Sequence, residues 1–318
     1  MSAVRSFPLP AGIAQDVAEG LGRSPKSLPS PLLYDEEGRR LAEQIAALPE
    51  YYPSHTEREL FETHAADIAD RAGRSSALIE LGPGAGAATR QLIAALLRRQ
   101  LALTFYPIDV ARAAAAAARQ KLSADFSNLV IVPIVAERLE AVRLPAARSP
   151  RLVLLPGSRI GDFEPDAALR LLASLRLQLA AGDALLLTAD MQRKASVLVP
   201  AYNDARRLSA RFHLNLLARI NRELGGHFDL HQFRHLARWS PEHSRMEIYL
   251  ESMRPQTIAI DALSFEAVFA AGERIHTANR YKFRPTEVEE MLCRAGFVPE
   301  HAWTGPHRWF ALHLARVP

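Results

Sequence analysis

The sequence predicts an α/β protein, a parallel sheet covered on both faces, with a second domain inserted into it. Three observations lead there. Between residues 76 and 190, short apolar runs alternate with helix-like segments, and continuous apolar runs suit strands buried on both sides. The alternation stops after residue 195 and resumes near the C-terminus. The chain has 318 residues, 48% of them apolar, enough for two modest domains and their cores.

Residues 1–33 are dotted with Pro and Ser, with "SPKSLPSP" over 24–31, and read as irregular chain laid over a surface. "DEEGRRLAEQIAALP" (35–49) repeats apolar residues near a 3.6-residue period and stops at Pro49, so a short helix is expected. "TERELFETHAADIADRA" (56–72) repeats the pattern behind Thr56, a cap candidate with Glu59 three residues on. Strands are expected at 76–81, 103–110, 128–135, 151–158 and 183–190, with helices at 87–99, 111–122 and 165–180 between them. Connections of this kind are almost always right-handed crossovers. Residues 196–222 read as helix and 227–238 as a second helical candidate; 244–253 and 256–262 read as strands able to form a hairpin. "PTEVEEMLCRAGF" (285–297) has Pro285 near a helix start and Gly296 at its end, and 308–316 reads as a last strand. The sheet domain is thus expected over 58–192 plus 283–318, and a second domain over 1–57 plus 193–282, with a substrate cleft between two such lobes a common arrangement.

Composition removes several function classes. The 39 Lys+Arg against 35 Asp+Glu leave a surplus of +4, too small and too scattered for nucleic-acid binding. Cys293 is the only cysteine, so no intramolecular disulfide forms and a reducing, cytoplasmic location is the simpler expectation. No run approaches the roughly 18 apolar residues of a membrane span, and the N-terminus lacks the apolar centre of a signal peptide. His227, His231 and His235 fall at i, i+4, i+8; two could bind a metal if helical, but no further ligand cluster accompanies them, so a solvated helix face and no metal are expected. The arginines of "ARRLSAR" (205–211) read as a solvated face, and Cys293 as core filler.

Chemistry concentrates in "LIELGPGAGAATRQLI" (78–93). Gly82, Gly84 and Gly86 follow the first strand, behind the acid Glu80, on the sheet edge where open α/β folds bind ligands. Glycine there lets the backbone turn tightly and approach a ligand. Asp109 ends the second strand, where a carboxylate can accept both hydroxyls of a ribose. The spacing G-x-G-x-G is not the G-x-G-x-x-G of dinucleotide oxidoreductases. With the strand-two acid it resembles class I methyltransferases, which bind S-adenosyl-L-methionine.

Four further stretches, "LLYDEEGRRLAEQIAALPEYYPSHTERELF", "PGSRIGDFEP", "LVPAYNDARRLSARFHLNLLARINRELGGHFDL" and "AGERIHTANRYKFRPTEV", together resemble the histidine Nα-methyltransferase family of ergothioneine biosynthesis, which includes fungal tryptophan-derivative N-methyltransferases. The resemblance covers nearly the whole chain. It implies a class I Rossmann-like sheet with an inserted substrate-binding domain, and a monomer acting on a small amino-acid-like substrate. It places cofactor binding at Glu80, Gly82, Gly84, Gly86 and Asp109. It also expects an adenine-side acid after strand three; Glu137 is the nearest candidate, and a surface helix start is an equally good reading of it. On the substrate side it implies the Y-Y-P tyrosine, Tyr51 or Tyr52 with Tyr51 preferred, then Tyr202 in A-Y-[DN]-D, and a mobile Tyr34 near the pocket. Read without the family, each tyrosine is an ordinary half-buried ring with a wet hydroxyl.

Departures from the family pattern fall on substrate positions. G-S-T-I-G-N becomes Gly157-Ser158-Arg159-Ile160-Gly161-Asp162, so a carboxylate that cannot donate to a substrate carboxylate replaces an amide that can. T-E-N-S-Y-K-F becomes Thr277-Ala278-Asn279-Arg280-Tyr281-Lys282-Phe283, so the Glu and Ser that grip imidazole in the family are Ala278 and Arg280. Lost hydrogen bonds of that kind cost about 1–3 kcal/mol each. The expected activity is S-adenosylmethionine-dependent N-methylation of an amino acid or derivative, with a site not tuned for histidine. The alternatives are a true histidine Nα-methyltransferase and an idle metabolite-binding member. Arg280 can meet a substrate acid, cover an aromatic face, or pair with Asp162. Tyr51, Tyr202 and Asp162 are the catalytic candidates, Asp162 or a water held by the tyrosines receiving the amine's proton; Asp162 as a structural carboxylate paired with Arg159 or Arg280 is an equal reading.

Overall fold

The computed structural model describes residues 11–82, 86–109, 120, 122–136, 141–148 and 150–318. Contacts divide the chain into two compact units, Met1–Tyr52 with Lys194–Arg280 and Pro53–Arg193 with Tyr281–Pro318. The first division comes earlier than the expected one after residue 57 because the helix reading of 56–72 starts too late. That helix spans Tyr52–Ala72, so Thr56 lies within it and does not cap it. Pro53 suits a first turn, whose N–H groups have no intrahelical partner.

The second unit is built on an eight-stranded sheet. Its order is Val298–Thr304, Phe310–Arg316, Ala184–Asp190, Arg151–Leu155, Ala77–Leu81, Leu103–Asp109 and Leu129–Ile131, with Ile134–Val135 also on Leu103–Asp109. Ala77–Leu81 runs parallel to both neighbours, and Phe310–Arg316 is antiparallel to Ala184–Asp190. The single strand expected over 128–135 is two short ones, interrupted at Pro133, which has no N–H for the ladder. Every residue of Ala77–Leu81, Arg151–Leu155 and Ala184–Asp190 is buried. Alternate side chains feed two cores: Leu78, Leu152, Leu154 and Leu186 join one, Ile79, Val153, Leu155 and Leu187 the other. Each such side chain contributes about 1.5–3 kcal/mol by leaving water. The helix expected over 111–122 lies, apart from Gln120 and Leu122, outside the described residues. Cys293 is exposed on the helix Pro285–Arg294, which turns Val288 and Leu292 inward, so it is not core filler.

The first unit corrects more of the sequence reading. Residues 11–22, expected to be irregular, form the helix Ala11–Gly22, with Val17 and Leu21 buried. It packs so close to the following segment that a Cβ at Gly20 would lie 2.1 Å from the Ser27 carbonyl oxygen. The helical candidate 227–238 is instead a 3-10 turn, Leu230–Gln232, and a strand, Phe233–Ser240. That strand runs antiparallel to Arg245–Ser252 and sets Arg234 opposite Glu251 and Arg238 opposite Glu247. Both pairs form ion pairs, and opposite charges facing across strands favour pairing. With Arg245–Ser252 lying between Phe233–Ser240 and Arg274–Tyr281, it does not pair with Gln256–Ile260, which pairs with Phe265–Phe269. The helix expected over 196–222 is two, Ala195–Tyr202 and Leu208–Leu224. Asp204 separates them, its carboxylate accepting the N–H groups of Leu208 and Ser209. The second then packs Phe212, Leu216 and Ile220 into the core beside Ile275 and Leu250.

Candidate active site

In the second unit Glu80, Gly82, Gly86 and Asp109 gather at one sheet edge. Leu81 pairs with Ile108, and the Gly82 N–H donates to the Ile108 oxygen at 2.9 Å, setting Gly82 beside Asp109. Asp109 is buried at the end of its strand. Glu80 is buried, and its carboxylate accepts the Thr89 hydroxyl at 2.6 Å, tying the strand to the first turn of Ala87–Leu97. Gly86 precedes that helix with φ −71° and no side-chain cap. A Cβ at Gly86 would meet nothing within 4 Å, and one at Gly82 would meet only side chains, the nearest at 3.5 Å. Neither packing nor φ demands glycine at these two positions. Bare backbone open to a ligand is what the group named by the sequence needs, so the residues fit it. Gly84 and Glu137 lie outside the described residues.

The next strand end carries a strained turn. Gly157 has φ +70° and Ser158 φ +51°; the second is a non-glycine in the left-handed region, at a cost of about 1–2 kcal/mol. Three hydrogen bonds hold it: Gly157 N–H to Glu57 Oε1 at 2.7 Å, Ser158 N–H to Thr188 Oγ1 at 2.9 Å, and Asp190 N–H to Ser158 Oγ at 2.9 Å. Burial pushes the Glu57 carboxyl up, against the bonds from Gly157 and Thr188. The turn continues into a short 3-10 segment, Arg159–Asp162. There Gly161 presses on the backbone of Tyr281; a Cβ would lie 2.7 Å from the Tyr281 oxygen. That contact fixes where Asp162 leaves the turn. Below it lies a buried charge system. Lys282 Nζ and Arg193 Nη2 meet the two oxygens of Asp190 at 2.6 and 2.5 Å, all three side chains at most 6% exposed. Arg193 also stacks over Trp309 and donates to its carbonyl oxygen.

The first unit holds the tyrosines. Tyr51 is half-buried and its ring meets that of Tyr202 edge-on at 6.0 Å; Tyr52 and Tyr202 are buried. Tyr34 meets Phe212 at 5.4 Å, and Phe212 meets His213 at 5.3 Å. His213 Nδ1 lies 2.8 Å from the Thr277 hydroxyl, which donates its one proton to the Ile248 oxygen. The hydroxyl therefore accepts from His213, so Nδ1 carries the hydrogen. Burial, then the charges of His235, Arg280 and His276, hold His213 well below the usual imidazole range, hence neutral. Ala278, next to Thr277, is 3% exposed. Arg280 is half-buried and donates to the Asn279 oxygen at 3.0 Å. His227, His231 and His235 are not on one helix, and the described residues contain no group of three or more metal-ligating side chains.

Sequence reading missed Glu57 and His213. Glu57 is one of several acids in its helix, and only the fold sets it against Gly157. His213 left a faint signal: a polar residue on the stripe that carries Phe212, Leu216 and Ile220.

A parallel sheet closed by an antiparallel strand, with open glycines after one strand and an acid ending the next, defines a class I Rossmann-like methyltransferase that uses S-adenosyl-L-methionine. The chain belongs to the family described as histidine-specific methyltransferase, SAM-dependent, which matches residues 13–317. It is 38% identical over 303 residues to the histidine N-alpha-methyltransferase of Mycolicibacterium smegmatis, covering 95% of this chain and 94% of that one. To the histidine N-alpha-methyltransferase of Mycobacterium tuberculosis it is 36% identical, with the same coverage. Among solved structures, the CcbJ methyltransferase from Streptomyces caelestis aligns with a TM-score of 0.49 at 14% identity, covering 86% of this chain and 98% of that one. The protein is an S-adenosylmethionine-dependent N-methyltransferase.

Proposed function

We propose that the acceptor is the amino group of an amino acid or amino-acid derivative other than free histidine. The observation that carries this is Ala278: a buried methyl stands where the family pattern has a carboxylate to hold imidazole. Arg280, two residues on, adds a positive charge felt at the already neutral His213. Such surroundings favour an acidic or larger aromatic side group over a ring needing a carboxylate partner.

We assign donor binding to the second unit, at Glu80, Gly82, Gly86 and Asp109 together with Gly84 and Glu137, and acceptor binding to Tyr34, Tyr51, Tyr52, Tyr202, Ala278 and Arg280 of the first. When bound, the donor supplies a methyl group on a sulfonium, already a good leaving group. The chain's own residues then have to present a neutral amine in line with it. Tyr51 and Tyr202, packed edge to face, hold the amine's orientation, and Asp162 accepts its proton. Asp162 in place of Asn agrees with this role and disfavours a free carboxylate beside it.

The test is a panel of amino acids and their amine derivatives incubated with enzyme and methyl donor, read by mass spectrometry. A methylated acidic or aromatic amine turned over well above histidine is the expected result. Micromolar histidine binding, far tighter than tryptophan, glutamate or their derivatives, refutes the specificity. Absence of any methylated product points to an idle member.

A further inference from the structure

Glu57 stands outside every role assigned so far, yet its carboxyl is the one group from the helix Tyr52–Ala72 shown bound to the strained Gly157–Ser158 turn. We infer that Glu57 is a positioning residue for methyl transfer, setting through Gly157 and Thr188 the turn that carries Asp162. The inference rests on the proposal above that Asp162 accepts the amine's proton.

The geometry is a closed set of hydrogen bonds. The Thr188 hydroxyl accepts the Ser158 N–H at 2.9 Å, so its single proton is left to donate, and Glu57 receives it. The other donor to Glu57 is the Gly157 N–H at 2.7 Å. Two consecutive left-handed residues thus have their N–H groups tied to one carboxyl, one directly and one through a hydroxyl. Strain of this kind persists only where neighbours over-determine it. The far end of the turn is held independently, by Gly161 on the Tyr281 backbone. Asp162 therefore follows directly on a segment anchored at both ends, at Gly157–Ser158 and at Gly161, and Glu57 is the anchor that a change of side chain can remove without touching Asp162. Ordinary core packing does not explain a carboxyl here. An apolar side chain would leave the proton of the fully buried Thr188 hydroxyl without its acceptor and free the Gly157 N–H from the turn's brace.

Three variants separate the outcomes: Glu57→Gln, Thr188→Ala and Asp162→Ala. Each is measured for donor affinity with S-adenosylmethionine alone by titration, for folding by thermal melting, and for kcat and acceptor KM, with L-histidine and L-tryptophan both used as acceptors. The amide of Glu57→Gln can accept from Gly157 but no longer satisfies both donors. Its kcat is expected to fall about tenfold to a hundredfold, the scale of a misplaced reacting group, with donor affinity within about twofold and the fold retained. Thr188→Ala should show the same split, and decides the matter if Glu57→Gln does not fold. If Asp162→Ala is impaired while the Glu57 and Thr188 variants keep wild-type kcat, the inference about Glu57 fails alone. If Asp162→Ala keeps wild-type kinetics, the reading of Asp162 fails and the inference with it. A loss of donor affinity matching the loss of kcat also overturns it, because Glu57 would then be acting on the donor.

Discussion

The two larger sheets put their charges to opposite uses. In the eight-stranded sheet the central strands are apolar on both faces, and polar side chains collect at strand ends: Glu80, Asp109, Thr188 and Asp190. In the four-stranded sheet of Lys26–Ser27, Arg274–Tyr281, Arg245–Ser252 and Phe233–Ser240, charge runs across one surface. Arg234 and Arg274 share Glu251, and Arg238 and Arg245 share Glu247, with Arg238 and Arg274 both over the Tyr249 ring. The first pattern concentrates chemistry where parallel strands end and a turn must open. The second knits strands together through buried Glu247 and Glu251, reached from the surface by arginines that are mostly exposed, and the exposed ends weaken each pair. A charged residue is therefore no guide to function until its place on the sheet is known.

The sharpest way to break this contrast is at the buried charges. Asp190→Ala takes away the carboxylate that Lys282 and Arg193 share, and removing one partner of a buried pair costs about 3–5 kcal/mol. Urea denaturation should show a loss of that size, and a loss under 1 kcal/mol would mean the system is solvated. Next comes pH. His313, buried on Phe310–Arg316, and His235 are held down to about 4, in both cases chiefly by burial. Their folded forms stay neutral while the unfolded chain protonates below about 6.5. The stability they carry is present above that pH and lost as pH falls toward 4. His313→Leu should flatten the acid limb of stability against pH by at most about 3 kcal/mol, since one pKa unit is about 1.36 kcal/mol.

Smaller effects sharpen the comparison. Asp109→Ala is expected to weaken S-adenosylmethionine binding by about 2 kcal/mol, roughly thirtyfold, through lost charge-assisted hydrogen bonds; calorimetric titration measures it. Gly86→Ala separates ligand from fold. With nothing within 4 Å of its Cβ, thermal stability should hold while donor affinity falls; unchanged affinity would mean the opening is not used. Last is Arg234→Ala on the other sheet, where Arg234 is 64% exposed. It should cost under about 1 kcal/mol, shrinking further in high salt.

Particular elements show where reading stops. The strands at 77–81, 151–155 and 184–190 were legible because a strand buried on both faces must be apolar throughout, a local signature. The glycine turn and Asp109 were legible because their chemistry is carried by residue type at a short spacing. The strand Phe233–Ser240 was not. Its reason for pairing is Arg234 against Glu251 and Arg238 against Glu247, partners nine or more residues away that no local period reveals. The helix Ala11–Gly22 was hidden behind the Pro- and Ser-rich run that follows it, though Val17 and Leu21 held its buried face.

From its own residues, the sequence determined the α/β class, the glycines after the first sheet strand and the acid ending the second; the resemblance to the family added the departures at Ala278 and Arg280 from its pattern. Only tertiary structure decided that Glu57 reaches Gly157, that Gly161 seats Asp162's turn on Tyr281, and that His213 is neutral with its proton on Nδ1. Periodicity and motif spacing are properties of neighbours along the chain. A buried hydrogen bond or a desolvated imidazole is set by groups that meet only once the chain has folded, and their residue types alone do not encode the meeting.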